Sequence, residues 1–151
     1  MYIISNKGVS QQEAIGRNQF LSIQTGMTWT ESQDKFTVWD FSGGTMTHRY
    51  VEVKARKIKS NDFSTTYMQV DKYDNLMDLA NLTSNGRSYY FVRYLDGKSY
   101  LYDLKKIQNI ELYRSQRLMN EVSLEGQTIK VMKDVYELPL WRKLPGLTIY
   151  K

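Results

Sequence analysis

Residues 36–56 constrain this chain more than any other stretch. Phe36-Thr37-Val38-Trp39-Asp40-Phe41 is short, β-branched and aromatic, which favours a strand. Tyr50, Glu52, Lys54 and Arg56 alternate with Val51, Val53 and Ala55, the period of two expected of a second strand. Between them, Ser42-Gly43-Gly44-Thr45 is turn chemistry, so the two strands are expected to form a hairpin. With the turn centred near Met46, Asp40 falls opposite Glu52, and their Cβ atoms stand roughly 5 Å apart on one face. Lys54, two residues further on, shares that face. A one-residue slip of register would undo the arrangement.

Two carboxylates that close repel unless a proton or a cation lies between them. Hard oxygen donors suit Mg²⁺ or Mn²⁺, and Mg²⁺ typically takes one or two carboxylates together with waters and phosphate oxygens. An adjacent lysine suits activation of water or stabilisation of charge developing on phosphorus. The plain alternative is a solvated strand face on which Glu52 and Lys54 form an ion pair.

Asp40, followed by Glu52-Val53-Lys54, resembles the PD-(D/E)XK nuclease superfamily. Gln69-Val70-Asp71-Lys72-Tyr73 is similar to the Gln-x-x-x-Tyr motif of its RecB-like branch. The resemblance spans residues 13–102, and it departs from the family pattern at Trp39, where a proline is usual. It implies a restriction-endonuclease-like α/β fold, with a mixed central β-sheet flanked by helices. It also implies a Mg²⁺- or Mn²⁺-dependent nuclease acting on nucleic acid, DNA rather than RNA, in recombination, repair or phage DNA processing, with a homodimer as a common state. Asp40 and Glu52 would hold the metal, the Val53 carbonyl would add a ligand, Lys54 would serve the nucleophile, and Gln69 and Tyr73 would support the site. An acidic residue on the first helix often joins such sites, which singles out Glu13; Glu31 and Asp34 are weaker alternatives. Other readings stay open. Ser10-Gln11-Gln12-Glu13 and Thr66-Tyr67-Met68-Gln69 both fit capping boxes, and Tyr73 fits a core position. A catalytically silent nucleic-acid-binding or protein-interaction module is the rival function.

Composition narrows the classes. The chain has 151 residues, 41% hydrophobic and 25% charged, which suits a single domain with a core at about 10–104 and an extension at 105–151. A net charge of +5 is compatible with nucleic acid. Arg56, Lys57 and Lys59, with Lys72 and Arg87, are the candidate phosphate contacts. With one histidine, His48, chemistry needing several His ligands is excluded, and His48 reads as a loop residue. Cysteine is absent, no run approaches the roughly 20 apolar residues of a membrane span, and Met1-Tyr2-Ile3-Ile4 is too short for a signal peptide. A cytoplasmic location, in a bacterium or a phage-infected cell, is expected.

The remaining pattern reads as follows. A helix is expected over 10–24 with Ala14, Ile15, Phe20 and Leu21 as its apolar face, then a loop over 29–35. A second helix is expected over 66–82, stopped by Ser84-Asn85-Gly86-Arg87. Residues 88–95 and 98–102, around Asp96-Gly97, form the clearest hairpin, and its tyrosines suit either strand packing or base stacking. A short helix at 104–109, a strand at 110–113, a hairpin over 121–132 turning at Glu125-Gly126, an extended 135–138 and an amphipathic tail at 141–147 complete the expectation.

Overall fold

The computed structural model describes residues 11–24, 26–33, 37–44, 48–120, 129–141 and 143–151. In chain order these form α1 (Gln11–Ile23), β1 (Trp29–Glu31), β2 (Phe41–Gly43), β3 (Arg49–Ala55), β4 (Thr65–Gln69) and α2 (Val70–Ala80). There follow β5 (Arg87–Arg93), β6 (Ser99–Asp103), α3 (Leu104–Ile107), β7 (Tyr113–Asn120), β8 (Lys130–Pro139) and β9 (Leu147–Tyr150).

Among the described residues a six-stranded sheet runs in the order β1-β2-β3-β5-β6-β9. β3 and β5 pair parallel and every other neighbour antiparallel, so the sheet is mixed. A parallel pair cannot be joined by a tight turn and needs a crossover; here β4 and α2 supply it. The expected α/β class, a mixed central sheet flanked by helices, is the class found.

Each face of β3 is buried by a different layer. On one, Phe20 of α1 packs into Val51, Val53, Phe41, Phe91 and Trp29, stacked on Phe41 at 5.8 Å and edge-on to Phe91 at 5.4 Å and to Trp29 at 5.1 Å between ring centroids. On the other, Leu76, Met77 and Ala80 of α2 meet Tyr90, Val92, Tyr102 and Leu104. Gly86 lets the chain turn from α2 into β5, since a Cβ there would stand 2.1 Å from the Ala80 carbonyl oxygen.

The β2–β3 hairpin has the expected register. Phe41 pairs with Val51 and Ser42 with Tyr50, which carries Asp40 opposite Glu52. Its first strand is displaced from the expected 36–41: β2 begins at Phe41, residues 37–40 are not strand, and Ser42 and Gly43, expected in the turn, belong to the ladder. The Asp40 carboxylate takes the Val53 N–H at 2.6 Å, the donor a longer strand would have used for its ladder, and pairing ends there. Gly44, at φ 86, leads into the turn; Phe36 and Met46 lie outside the described residues.

Other expectations are corrected. Residues 29–31 are an edge strand rather than a loop, because they find ladder partners in 41–43. The second helix starts at Val70, not at 66: Thr65, Thr66 and Tyr67 are β-branched or aromatic and pair with β8. Gln69 ends β4 with extended dihedrals (φ −59, ψ 135) and caps nothing, so the Thr66–Gln69 capping box does not form. On α1 the inward residues are Gly16, Arg17 and Phe20, while Ile15 is exposed. Residues 110–112 are not a strand; β7 begins at Tyr113 and pairs with β8 from Tyr113↔Glu137 to Asn120↔Lys130. The expected Glu121 strand, its Glu125-Gly126 turn and the Ser10 cap fall outside the described residues. Positions 135–138 belong to β8, and β4-β8-β7 make a second, three-stranded sheet. The tail ends in β9, which pairs with β6.

Because Phe20 alone bridges α1 to three other rings, Phe20→Ala is expected to cost about 3–5 kcal/mol through transfer and cavity terms. Urea denaturation with an unchanged m-value would check it; a loss under 1 kcal/mol would mean that α1 is not anchored there.

Candidate active site

The charged centre is built where β2 ends beside β3 and α1 crosses them. Asp40 comes from the residue just before β2, Glu52 from β3, Arg17 from α1 and Lys72 from the first turn of α2. Glu52 and Arg17 are nearly inaccessible, at 5% and 8% exposure. Burial of this much charge demands partners, and the partners are found. The Arg17 guanidinium donates to Asp40 Oδ1 at 2.5 Å and stands 3.7 Å from Glu31 Oε1. Lys72 Nζ donates to Glu52 Oε1 at 2.9 Å. Lys54 Nζ lies 3.7 Å from Glu13 Oε1.

These contacts divide the two central carboxyls. Burial, reinforced by the neighbouring Glu52 charge, raises Asp40 to about 7 against the pull of Arg17 and the Val53 N–H. Glu52 is equally desolvated, which alone would raise it, but Lys72 and Lys54 outweigh burial and hold it below its ordinary value. Lys72 is pushed up in turn by Glu52. Two acids in one place with environments that push them apart is the pattern of sites that hold a proton or a cation between carboxylates.

The donor set can be tested against a hard divalent cation. Asp40 and Glu52 offer carboxylate oxygens. The Val53 N–H points at Asp40, and in an extended strand a residue's C=O leaves on the same side as its N–H, so the Val53 carbonyl faces the same space. Two carboxylates and a carbonyl leave positions for water or phosphate oxygen, which fits Mg²⁺ or Mn²⁺ better than a soft or imidazole-seeking metal. Among the described residues no group of three or more His, Cys, Asp or Glu side chains converges as a ready metal cage.

The sequence-derived candidates separate into those gathered here and those placed elsewhere. Asp40, Glu52, Val53, Lys54 and Glu13 lie in one connected set of contacts. Gln69 is buried at the end of β4, where its Oε1 accepts from Lys133 Nζ at 3.5 Å. Tyr73 packs edge-on against Tyr136, 5.1 Å between ring centroids, and burial raises its phenol. Lys72 reaches Glu52. The Arg56 guanidinium donates to the Tyr67 carbonyl, to the Tyr90 hydroxyl at 2.9 Å and to Thr66 Oγ1 at 3.4 Å, tying the central sheet to β4. Lys57 and Lys59 are exposed beyond β3. Arg87 starts β5 at the opposite end of the β3–β5 ladder, level with Arg49, 3.8 Å from Asp103.

Arg17 was missed in the sequence. Its signal was a lone cation one turn after Glu13 (i, i+4), hidden because the expected apolar face rotated it outward. Glu31, a weaker alternative for the site acid on an expected loop, is the end of β1, 5% exposed and facing Arg17.

No family model matches the chain, and no curated protein is significantly similar to it. Among solved structures it is similar to Hjc, a Holliday junction resolvase from the archaeal hyperthermophile Archaeoglobus fulgidus. The two share 14% identity, the match covers 86% of this chain and 93% of that one, and the TM-score is 0.49. No described helix is long and apolar enough to cross a membrane.

Because the folded state keeps the Asp40 proton up to about pH 7 while the free carboxyl starts from 3.8, the native state binds the extra proton between those values. Stability tied to that proton is complete below about pH 4 and is lost as pH rises to about 7. Removing the Glu52 charge by Glu52→Gln is expected to lower the Asp40 midpoint, and Arg17→Gln to raise it, as read by ¹³C carboxyl NMR titration. An Asp40 midpoint that moves in neither variant would show that the two carboxyls do not interact.

Proposed function

We propose that this chain is a divalent-metal-dependent nuclease that hydrolyses phosphodiester bonds of nucleic acid, DNA rather than RNA. The observation that carries the reading is the convergence of Asp40, Glu52 and Lys54 at the end of a hairpin, with Asp40 raised to about 7 by burial and by the Glu52 charge beside it. The resemblance of the Asp40, Glu52-Val53-Lys54 pattern to the PD-(D/E)XK superfamily points the same way.

On this reading Asp40, Glu52 and the Val53 carbonyl hold Mg²⁺ or Mn²⁺, which when bound acidifies water and draws negative charge from a phosphate oxygen. Lys54 stands beside Glu52 on the same strand face and is held by Glu13 at 3.7 Å. Its ammonium is placed to orient the attacking water and to stabilise charge building on phosphorus. Glu13 acts through Lys54 as a positioning residue. Arg17 fixes the Asp40 rotamer, and Lys72 keeps Glu52 ionised. Gln69 closes the floor between β4 and α2, and Tyr73 supports α2 against β8. Action in recombination, repair or phage DNA processing, and a homodimeric state, follow from the resemblance alone.

One observation favours a second reading, a catalytically silent nucleic-acid-binding module. Asp40 and Glu52 are each already paired with an internal cation, Arg17 and Lys72. The two readings part on one experiment: labelled single-stranded, double-stranded and branched DNA, and RNA, incubated with Mg²⁺, Mn²⁺ or EDTA. Cleavage is expected with metal and not with EDTA, and Lys54→Ala is expected to slow it by about 10²–10⁴-fold, the usual scale of a positioned proton-transfer or charge-stabilising group. Glu52→Gln is expected to abolish it. Binding without cleavage of any substrate by the unmutated protein would leave the silent module standing.

A further inference from the structure

The second sheet does more than close the fold behind α2. β4 pairs with β8 only over Gln69↔Val135 to Thr65↔Pro139, whereas β7 and β8 pair on to Asn120↔Lys130. The last rows of this ribbon, 116–120 against 130–134, therefore have no third strand over a length of roughly 17 Å, at about 3.4 Å per residue. Residues paired across the ladder share a face. Tyr67, Gln69, Val135, Lys133, Arg117 and Met119 accordingly lie on one face of the sheet. That face is the one turned to the candidate site. Tyr67, Gln69 and Met119 wall the same crevice as Glu52, Lys54 and Lys72.

Its chemistry is basic and preorganised. The Arg56 and Arg117 guanidiniums stand 3.9 Å and 4.2 Å from the centroid of the Tyr67 ring. One ring face takes one guanidinium at such a distance, so the two lie on opposite faces. Arg117 is steadied by Glu137, 3.2 Å from its Nη2, yet its side chain keeps 44% exposure. Glu137 is further occupied by Thr65 and Ser115. Lys133, cross-strand partner of Arg117, stands beside it in the same row, and its Nζ donates to Gln69 Oε1 at 3.5 Å. A pair of cations on a sheet face that walls the crevice of Glu52 and Lys54 matches one occupant, a polyanionic strand passing that crevice.

We propose that the face of the β7–β8 ribbon carrying Arg117 and Lys133 is the substrate arm of the protein, which holds the nucleic-acid backbone beside the crevice of Glu52 and Lys54. The inference rests on the nuclease reading for its substrate, but the arm binds phosphates whether or not the centre cuts. Neither Arg117 nor Lys133 touches Asp40, Glu52 or Lys54, so loss of the arm weakens binding and spares the chemistry.

The test is fluorescence anisotropy of a labelled 20-base-pair duplex in Ca²⁺ buffer over a salt series, together with single-turnover cleavage in Mg²⁺ at saturating duplex. The proteins are wild type, Lys133→Ala, Arg117→Ala and Arg117→Lys. Each alanine variant is expected to weaken binding several-fold and to lower the slope of log affinity against log salt by about 1, while Arg117→Lys keeps the slope. Saturating cleavage rates are expected to stay within about twofold of wild type, since phosphate contacts position substrate rather than react with it. Unchanged affinity and slope in Lys133→Ala, which leaves the Tyr67 stack untouched, would overturn the arm, as would absence of duplex binding by the wild type. Salt-dependent binding that the variants lose, in a protein that cuts nothing, would retain the arm and remove the nuclease reading. Cleavage by wild type with variants that bind equally well would do the reverse.

Discussion

The juxtaposition of Asp40 and Glu52 is the constraint to which the neighbouring structure answers. At roughly 5 Å and an effective dielectric constant of about 20, two carboxylate charges repel by about 3 kcal/mol, before any cost of desolvation. Arg17 and Lys72 meet that cost from opposite sides of the sheet, one on α1 and one on α2. The inward turn of Arg17 also determines how α1 sits. The helix presents Arg17 with Gly16 and Phe20, and Ile15 is left in solvent. The small Gly16 keeps the helix near the sheet, with an added Cβ reaching only 3.4 Å from Val53. A charged contact and an aromatic cluster thus fix the same helix from neighbouring positions.

The parallel pairing of β3 and β5 sets the second constraint. The crossover between them must leave the sheet and return, and in this chain it leaves as a strand before it becomes a helix. β4 therefore exposes a ladder edge that cannot be satisfied by the central sheet. β8 covers that edge and β7 covers β8. Arg56 joins the two sheets at the point of departure, through the Tyr67 carbonyl and the Tyr90 hydroxyl. A cation just past the strand that carries Glu52 and Lys54 is spent on joining the second sheet to the first.

What was legible in the sequence follows from range. The hairpin register, the β5–β6 hairpin around Gly97 and the short α3 depend on turn chemistry and alternation within a dozen residues, and all three were readable. The local pattern of residues 65–69 was readable too, as β-branched and aromatic, but Gln69 three residues after Thr66 imitated a helix start. Only the ladder to β8, far along the chain, decides between them. The same holds for 29–31, a strand because residues 41–43 are there to pair with it, and for β7 and β8, whose pairing spans a segment rich in competing turn signals. In the site, Asp40, Glu52 and Lys54 were visible because one hairpin places them. Glu31 was visible only as a weaker alternative on an expected loop, and Arg17 was not, because a buried cation reads as solvated until the carboxylates it serves are known to be inside.

The charge balance of the centre bears on what it can bind. With Asp40 and Glu52 matched by Arg17 and Lys72, and Lys54 by Glu13, the set without metal is neutral while Asp40 is ionised and carries one positive charge while Asp40 holds a proton. Such a set gains little from a lone divalent cation, which would have to displace the Asp40 proton and leave the internal cations in excess. A phosphate arriving with the cation removes that excess, because each of its oxygens is an acceptor for Lys54 or Lys72 and a ligand for the metal. On the nuclease reading, metal and substrate affinity would then be coupled through the same buried charges, each strengthening the other by the same factor. On the nuclease reading, the internal pairing of Asp40 and Glu52 is therefore compatible with catalysis: it is the resting charge balance of a centre that metal and phosphate enter together.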